Sequence, residues 1–205
     1  QTKILVIGGG PSGMIAAIVA ARQGAYVTVV DRMQKVGKKL LATGAGQCNL
    51  CNTKPGQNNY HGLDSSFILP ALKAFGAETA LAFFDALGIE VREVENGRVF
   101  PITGQASNVL DVLRYEMSTL GVREVTGVKI NEIRSTKSGF VSCSVEGETF
   151  KSDKVILAAG GRSSPNLGSN GGGYKIAKAL GHTVTQIFPS RVPLVLDTWF
   201  LKRLK

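Results

Sequence analysis

At 205 residues the chain can form one large or two small domains, since domains usually run to ~100–150 residues. Its 43% hydrophobic content supplies a buried core and excludes wholesale disorder. The 24 Lys and Arg against 15 Asp and Glu give +9, but the basic residues are scattered and not interleaved with aromatics. A nucleic-acid partner is therefore disfavoured, and surface charge or attraction of an anionic cofactor accounts for the balance.

Residues 3–7 are a short apolar run ending in glycine, which predicts a buried parallel strand. Small apolar residues at 11–23 predict a helix packed closely on a sheet, and 26–30 predicts a second strand. Together they make a compact βαβ unit. Residues 37–62 are rich in Gly, Asn, Thr and Lys, so an ordered loop is expected, with one helical turn near 38–42. Helices are predicted at 65–75 and 77–87, and a hairpin at 89–94 and 98–100 turns at Asn96–Gly97. A helix at 106–120 presents Val109, Leu110, Leu113 and Met117 on one face. A β-rich block follows, at 122–125, 129–135, 139–145 and 148–152, and then a fully apolar strand at 154–159. A last helix is predicted at 171–180.

Gly8, Gly10 and Gly13 form a G-x-G-x-x-G between the first strand and the first helix. In that setting the first glycine permits a tight turn, the second lets a pyrophosphate approach the backbone, and the third allows close helix–strand packing. Free amides at the helix start, from Ser12 onward, and the helix dipole attract phosphate, and Pro11 suits a first turn that needs no donor from it. Asp31 ends the second strand, where a carboxylate can accept from both hydroxyls of an adenosine ribose and disfavours a 2′-phosphate. The pattern predicts an ADP-containing dinucleotide and does not separate FAD from NAD.

The segment GKKLLATGAGQCNLCN at residues 37–52 resembles the signature of the BaiN/YhiN-like NAD(P)/FAD-dependent oxidoreductase family. GRVFP at 97–101, LAAGG at 157–161 and GSNGGGY at 168–174 match the family in the same order. The resemblance implies an α/β fold: a Rossmann-like FAD-binding domain with a parallel sheet and an antiparallel β-meander. That domain would cover residues 1–190, with the meander at about 128–152. Residues 191–205 would begin an inserted substrate or cap domain, leaving the fold incomplete at its C-terminus.

The implied cofactor is FAD, with NAD(P)H as electron donor and a small molecule as substrate. Hydride transfer through the flavin would run between a nicotinamide cofactor or oxygen and an organic substrate. Cofactor contacts are expected from Gly8, Gly10, Pro11, Ser12, Gly13, Asp31, Arg32, Lys39, Leu40, Thr43, Asn49 and Gly160, with the loop at 37–52 running along the ribityl and flavin. The chain departs from the family pattern at Gln47, where Arg is usual, and at Cys51 and Ala159, where Thr is usual. Two other functions stay open: a flavoprotein acting on RNA, and a non-catalytic nucleotide-binding fragment.

Cys48 and Cys51 form a C-x-x-C that could exchange electrons with a flavin, its thiolate favoured by Lys38 or Lys39. The plainer reading is a family-typical Cys48 beside an incidental Cys51. A zinc site with His61 lacks a fourth ligand, and His182 is placed to cap a helix end. No apolar run reaches the ~18–20 residues of a membrane helix, and no signal-peptide pattern opens the chain. No membrane partner and a cytoplasmic location are therefore expected, and three cysteines, an odd number, fit a reducing compartment better than a disulfide framework.

Overall fold

Strand β1 (Lys3–Ile7), helix α1 (Pro11–Arg22) and strand β2 (Tyr26–Asp31) form a βαβ unit in the computed structural model, which describes residues 1–62 and 64–189. Both strands are buried on two faces, as apolar parallel strands must be. Leu5 and Ile7 pack into one hydrophobic cluster and Val6 into another, because successive side chains of a strand point to opposite faces. The expected onset of an inserted domain at 191–205 lies outside the described residues.

A two-residue strand, β3 (Cys51–Asn52), follows the loop after β2. The helix expected at 65–75 is divided: a 3-10 turn covers Ser65–Ile68 and α2 covers Leu69–Ala74. Pro70 explains the division, since it lacks an amide proton and starts a helix better than it continues one. Helix α3 (Ala77–Asp85) precedes the hairpin of β4 (Val91–Val94) and β5 (Arg98–Pro101). Asn96 and Gly97 turn it with φ of 60° and 73°, the left-handed geometry an Asn-Gly pair favours. Strand β3 adds to the β5 edge, with Cys51 opposite Val99.

Helix α4 (Ala106–Thr119) buries Val109, Leu110, Leu113 and Met117 against α1 and the sheet. Strand β6 (Arg123–Thr126) then leaves the β-rich block and pairs parallel with β2, Val30 opposite Val125. The antiparallel meander consists of β7 (Ile130–Thr136), β8 (Gly139–Ser144) and β9 (Thr149–Ser152). Strand β10 (Lys154–Leu157) returns parallel to β1, so the central sheet runs β10-β1-β2-β6. Helix α5 (Gly172–Ala179) buries Ile176 with Ile130, Ile133, Leu5 and Ile7 on the meander side.

The sheet is thus covered on one face by α1 and α4 and on the other by the meander and α5. The C-terminal ends of β1, β2 and β10 all open on the same edge, where open α/β sheets bind ligands. Among the described residues no single helix is long and apolar enough to cross a membrane. Only the pair Ser65–Ala74 and Ala77–Asp85, bent by 43°, passes that test together.

Candidate functional site: a glycine-lined cleft at the sheet edge

The glycine turn between β1 and α1 has three distinct environments. Gly8 sits at φ +108°, and a Cβ there would collide with the carbonyl of Ala158 after β10. Gly13 lies behind the turn, where a Cβ would collide with the Gly8 carbonyl oxygen, so α1 can approach β1 only through glycine. At Gly10 a Cβ would meet no heavy atom within 4 Å. The backbone there faces open space.

Gly10 is also the N-cap of α1 and supplies no side-chain acceptor, and no acidic residue stands in the first turn. Pro11 occupies the first helical position. The positive end of a 12-residue helix is therefore left for an external anion.

A cleft of about 390 Å³ lies against this turn. One wall is Gly8, Gly10, Pro11 and Ser12, and Asp31, Met33 and Lys35 continue it from β2. Gly37, Lys38 and Lys39 line it from the following loop, and Gly160, Leu167 and Ser169 from the segment after β10. Helix α4 fixes the loop: Leu110 fills the space a Cβ on Gly37 would need, and Arg114 Nη2 donates to the Val36 carbonyl at 2.7 Å. A smaller recess of about 70 Å³ shares Gly8, Asp31 and Gly168 with the cleft and adds Arg32, Val128 and Ile176.

The cations at this edge hold the far wall. Lys39 Nζ donates to the Ser163 carbonyl at 2.6 Å and Lys38 Nζ to that of Asn166 at 3.4 Å. Arg32 donates through Nε to Gly168 and through Nη2 to Pro165, each at 3.2 Å. Partial burial pushes the Lys39 ammonium below the ordinary lysine value.

Of the residues expected to contact a cofactor, Gly8, Gly10, Pro11, Ser12, Asp31, Lys39 and Gly160 surround the cleft. Gly13 packs behind it and Arg32 lines the adjoining recess. Leu40, Thr43 and Asn49 are placed elsewhere. The Leu40 side chain is buried in the core, and Thr43 Oγ1 closes its own turn on the Leu40 carbonyl at 2.6 Å. Asn49, with its amide nitrogen turned inward, donates to the carbonyls of Cys51 and Val99 at 2.9 and 3.2 Å. Met33, Lys35 and Ser169 line the cleft without having been singled out; for Ser169, the glycine cluster at 168–173 was the available signal.

Cys48 and Cys51 are free thiols, Cys48 buried and Cys51 half-buried. Burial raises the Cys48 pKa, and a hydrogen bond with Thr43 offsets part of that. Burial also raises Cys51, and the negative charge of Glu93 adds to it. Lys38 and Lys39 are engaged with carbonyls instead. Both thiols are protonated at neutral pH, and the thiolate is the reactive form. Iodoacetamide at pH 7.5 is therefore expected to alkylate Cys48 and Cys51 more slowly than free cysteine, with rates climbing steeply above the ordinary thiol pKa; mass spectrometry of tryptic peptides checks this.

Among the described residues no group of three or more His, Cys, Asp or Glu could hold a metal. His182 follows α5, but it is its backbone amide that donates to the Ala177 carbonyl, at 3.0 Å.

The family model for the HI0933-like protein Rossmann domain matches residues 2–189. The 3-dehydro-bile acid Δ(4,6)-reductase of Clostridium scindens is 41% identical over 196 residues, which are 95% of this chain and 47% of that protein. The ribosomal RNA dihydrouridine synthase of Escherichia coli is 28% identical over 201 residues, 98% of this chain and 50% of that one. The chain thus spans about half the length of these curated relatives. An open-conformation flavocytochrome c3 fumarate reductase superposes with a TM-score of 0.63 at 20% identity, over 87% of this chain and 40% of the other. That likeness is one of fold.

Proposed function

The chain belongs to the HI0933-like Rossmann-domain family, and on that premise we propose that it binds FAD in the glycine-lined cleft and serves an FAD-dependent oxidoreductase. One observation carries the cofactor reading. The backbone at Gly10 is open at the start of a helix whose positive end has no side-chain cap, with the Asp31 carboxylate on the same cleft. This arrangement suits the ADP half of a dinucleotide. The loop GKKLLATG, which enters the cleft through Gly37, Lys38 and Lys39, together with the family, favours FAD over NAD.

Each residue then has a task. Gly10 admits the diphosphate to the backbone, the first turn of α1 stabilises its charge, and Asp31 faces the ribose. Lys35, Lys38 and Lys39 raise the potential of the cleft toward anions. The residues at 158–161, which begin beside the turn, complete the cleft wall. Bound FAD supplies two-electron chemistry, which the protein directs by orientation and electrostatics.

For the substrate we propose a small organic acceptor, with a reduced nicotinamide as donor. The C. scindens relative is named as a reductase of a 3-dehydro-bile acid, so a conjugated ketone of that kind is the first compound to assay. The three free thiols fit a reducing compartment such as the cytoplasm. A second reading, action on RNA, draws on the E. coli relative's name and the net charge of +9; it predicts RNA binding that weakens steeply with salt.

The test is spectroscopic. Protein incubated with FAD and desalted is expected to keep the visible flavin band, and anaerobic NADH or NADPH to bleach it. A colourless preparation that FAD cannot reconstitute contradicts the proposal.

A further inference from the structure

The ribose role of Asp31 leaves one feature of its surroundings unexplained. Both carboxylate oxygens already accept backbone amides. Oδ2 accepts from Gly9 N at 2.6 Å, and Oδ1 from Met33 N at 2.7 Å. Gly9, the middle residue of the glycine turn, is buried, and its carbonyl accepts from Gly37 N at 2.7 Å. Its two polar groups thus tie the turn to the end of β2 on one side and to the lysine-bearing loop on the other. The carboxylate is itself anchored, since the Asp31 carbonyl accepts from Val128 N at 3.0 Å and the Met33 carbonyl from Gly127 N at 2.9 Å.

We infer that Asp31 is a positioning residue for the diphosphate: its carboxylate is the strut that holds Gly9, and through Gly9 sets the Gly8–Gly10 backbone that receives the phosphates. The inference rests on the proposed dinucleotide site and deepens it. A carboxylate has lone pairs beyond the two in use, so the same group can also meet a ribose. A buried amide that loses its acceptor is costly, and here the cost falls on the conformation of the turn. An acid confined to ribose recognition affects only ligands with ribose hydroxyls. A strut affects any ligand that carries the diphosphate.

ADP and 2′,3′-dideoxy-ADP separate these roles. Calorimetric titration of both into wild-type protein and Asp31→Ala is expected to show dideoxy-ADP weakened by the substitution, roughly tenfold or more. Equal binding of dideoxy-ADP to the two proteins overturns the strut and leaves the site intact. Wild-type protein that binds neither ADP nor FAD contradicts the cofactor reading itself. Should Asp31→Ala not fold, Asp31→Asn carries the same comparison, because a carboxamide offers an acceptor at only one of the two positions. Amide exchange in the ligand-free protein gives the second readout. Gly9 is expected to exchange slowly in wild type and faster in the variant. Weakened dideoxy-ADP binding with unchanged Gly9 exchange overturns the inference as well.

Discussion

Alanine at position 10 is expected to leave the fold standing and remove most of the FAD affinity. No heavy atom lies within 4 Å of the Cβ it would add, and the Gly10 backbone, at φ −76° and ψ −179°, is open to alanine. Two small terms oppose each other in the free protein. Alanine is a poorer N-cap than glycine, while a stiffer unfolded chain favours the folded state. Stability is thus expected to stay within about 1 kcal/mol of wild type. In the bound state the new methyl occupies the space a diphosphate needs. Steric insertions of this kind cost about 1–3 kcal/mol, which is roughly a 5- to 150-fold loss of affinity. Thermal unfolding and a flavin titration on the same sample check both halves. Undiminished affinity contradicts the placement of the phosphates.

Alanine at position 13 is expected to do the reverse. Its Cβ would overlap the Gly8 carbonyl oxygen and lie 3.3 Å from the Ala158 Cβ. The obstacle is backbone, and it cannot swing away. Gly8 is already at φ +108° with its amide held by the Val30 carbonyl at 2.8 Å. Helix α1 must lift from β1, disturbing the packing of Met14, Ala17 and Ile18, all completely buried. A loss of about 3 kcal/mol follows, or a Tm lowered by roughly 6–12 °C for a chain of this size. Differential scanning calorimetry without ligand is the check. A Tm close to wild type contradicts the close approach of helix and strand. Two glycines of one motif thus separate stability from binding.

Much of this was legible because the relevant signals are local. The run at Lys3–Ile7, the glycines, and the small residues of α1 identify a βαβ unit within one stretch of chain. The alternation after residue 128 likewise marks the meander. What could not be read depends on partners far away in sequence. The stretch around Arg123–Thr126 resembles the antiparallel strands beside it, and only its pairing with β2 places it in the parallel sheet. Composition shows that Thr43 and Asn49 are small polar groups in a glycine-rich loop. It does not show that their hydrogen bonds go to the carbonyls of Leu40, Cys51 and Val99. Leu40, in the same loop, is drawn into the core by the apolar surface beneath it. Lys38, Lys39 and Arg32 were legible as cations near an anion site, but their bonds to residues 163–168 depend on how the chain returns after β10. Gly9 shows the same limit. Its neighbours define the motif, and its tie to Asp31 appears only in three dimensions.

The most direct test of the cofactor site is competition between FAD and ADP. FAD is titrated into the wild-type protein by flavin fluorescence, and ADP is then added. If the ADP half sits against Gly8–Gly10 and Asp31, ADP displaces the flavin, and the Gly10→Ala protein binds both ligands weakly. FAD that stays bound in excess ADP, with equal affinity in Gly10→Ala, would place the cofactor outside this cleft.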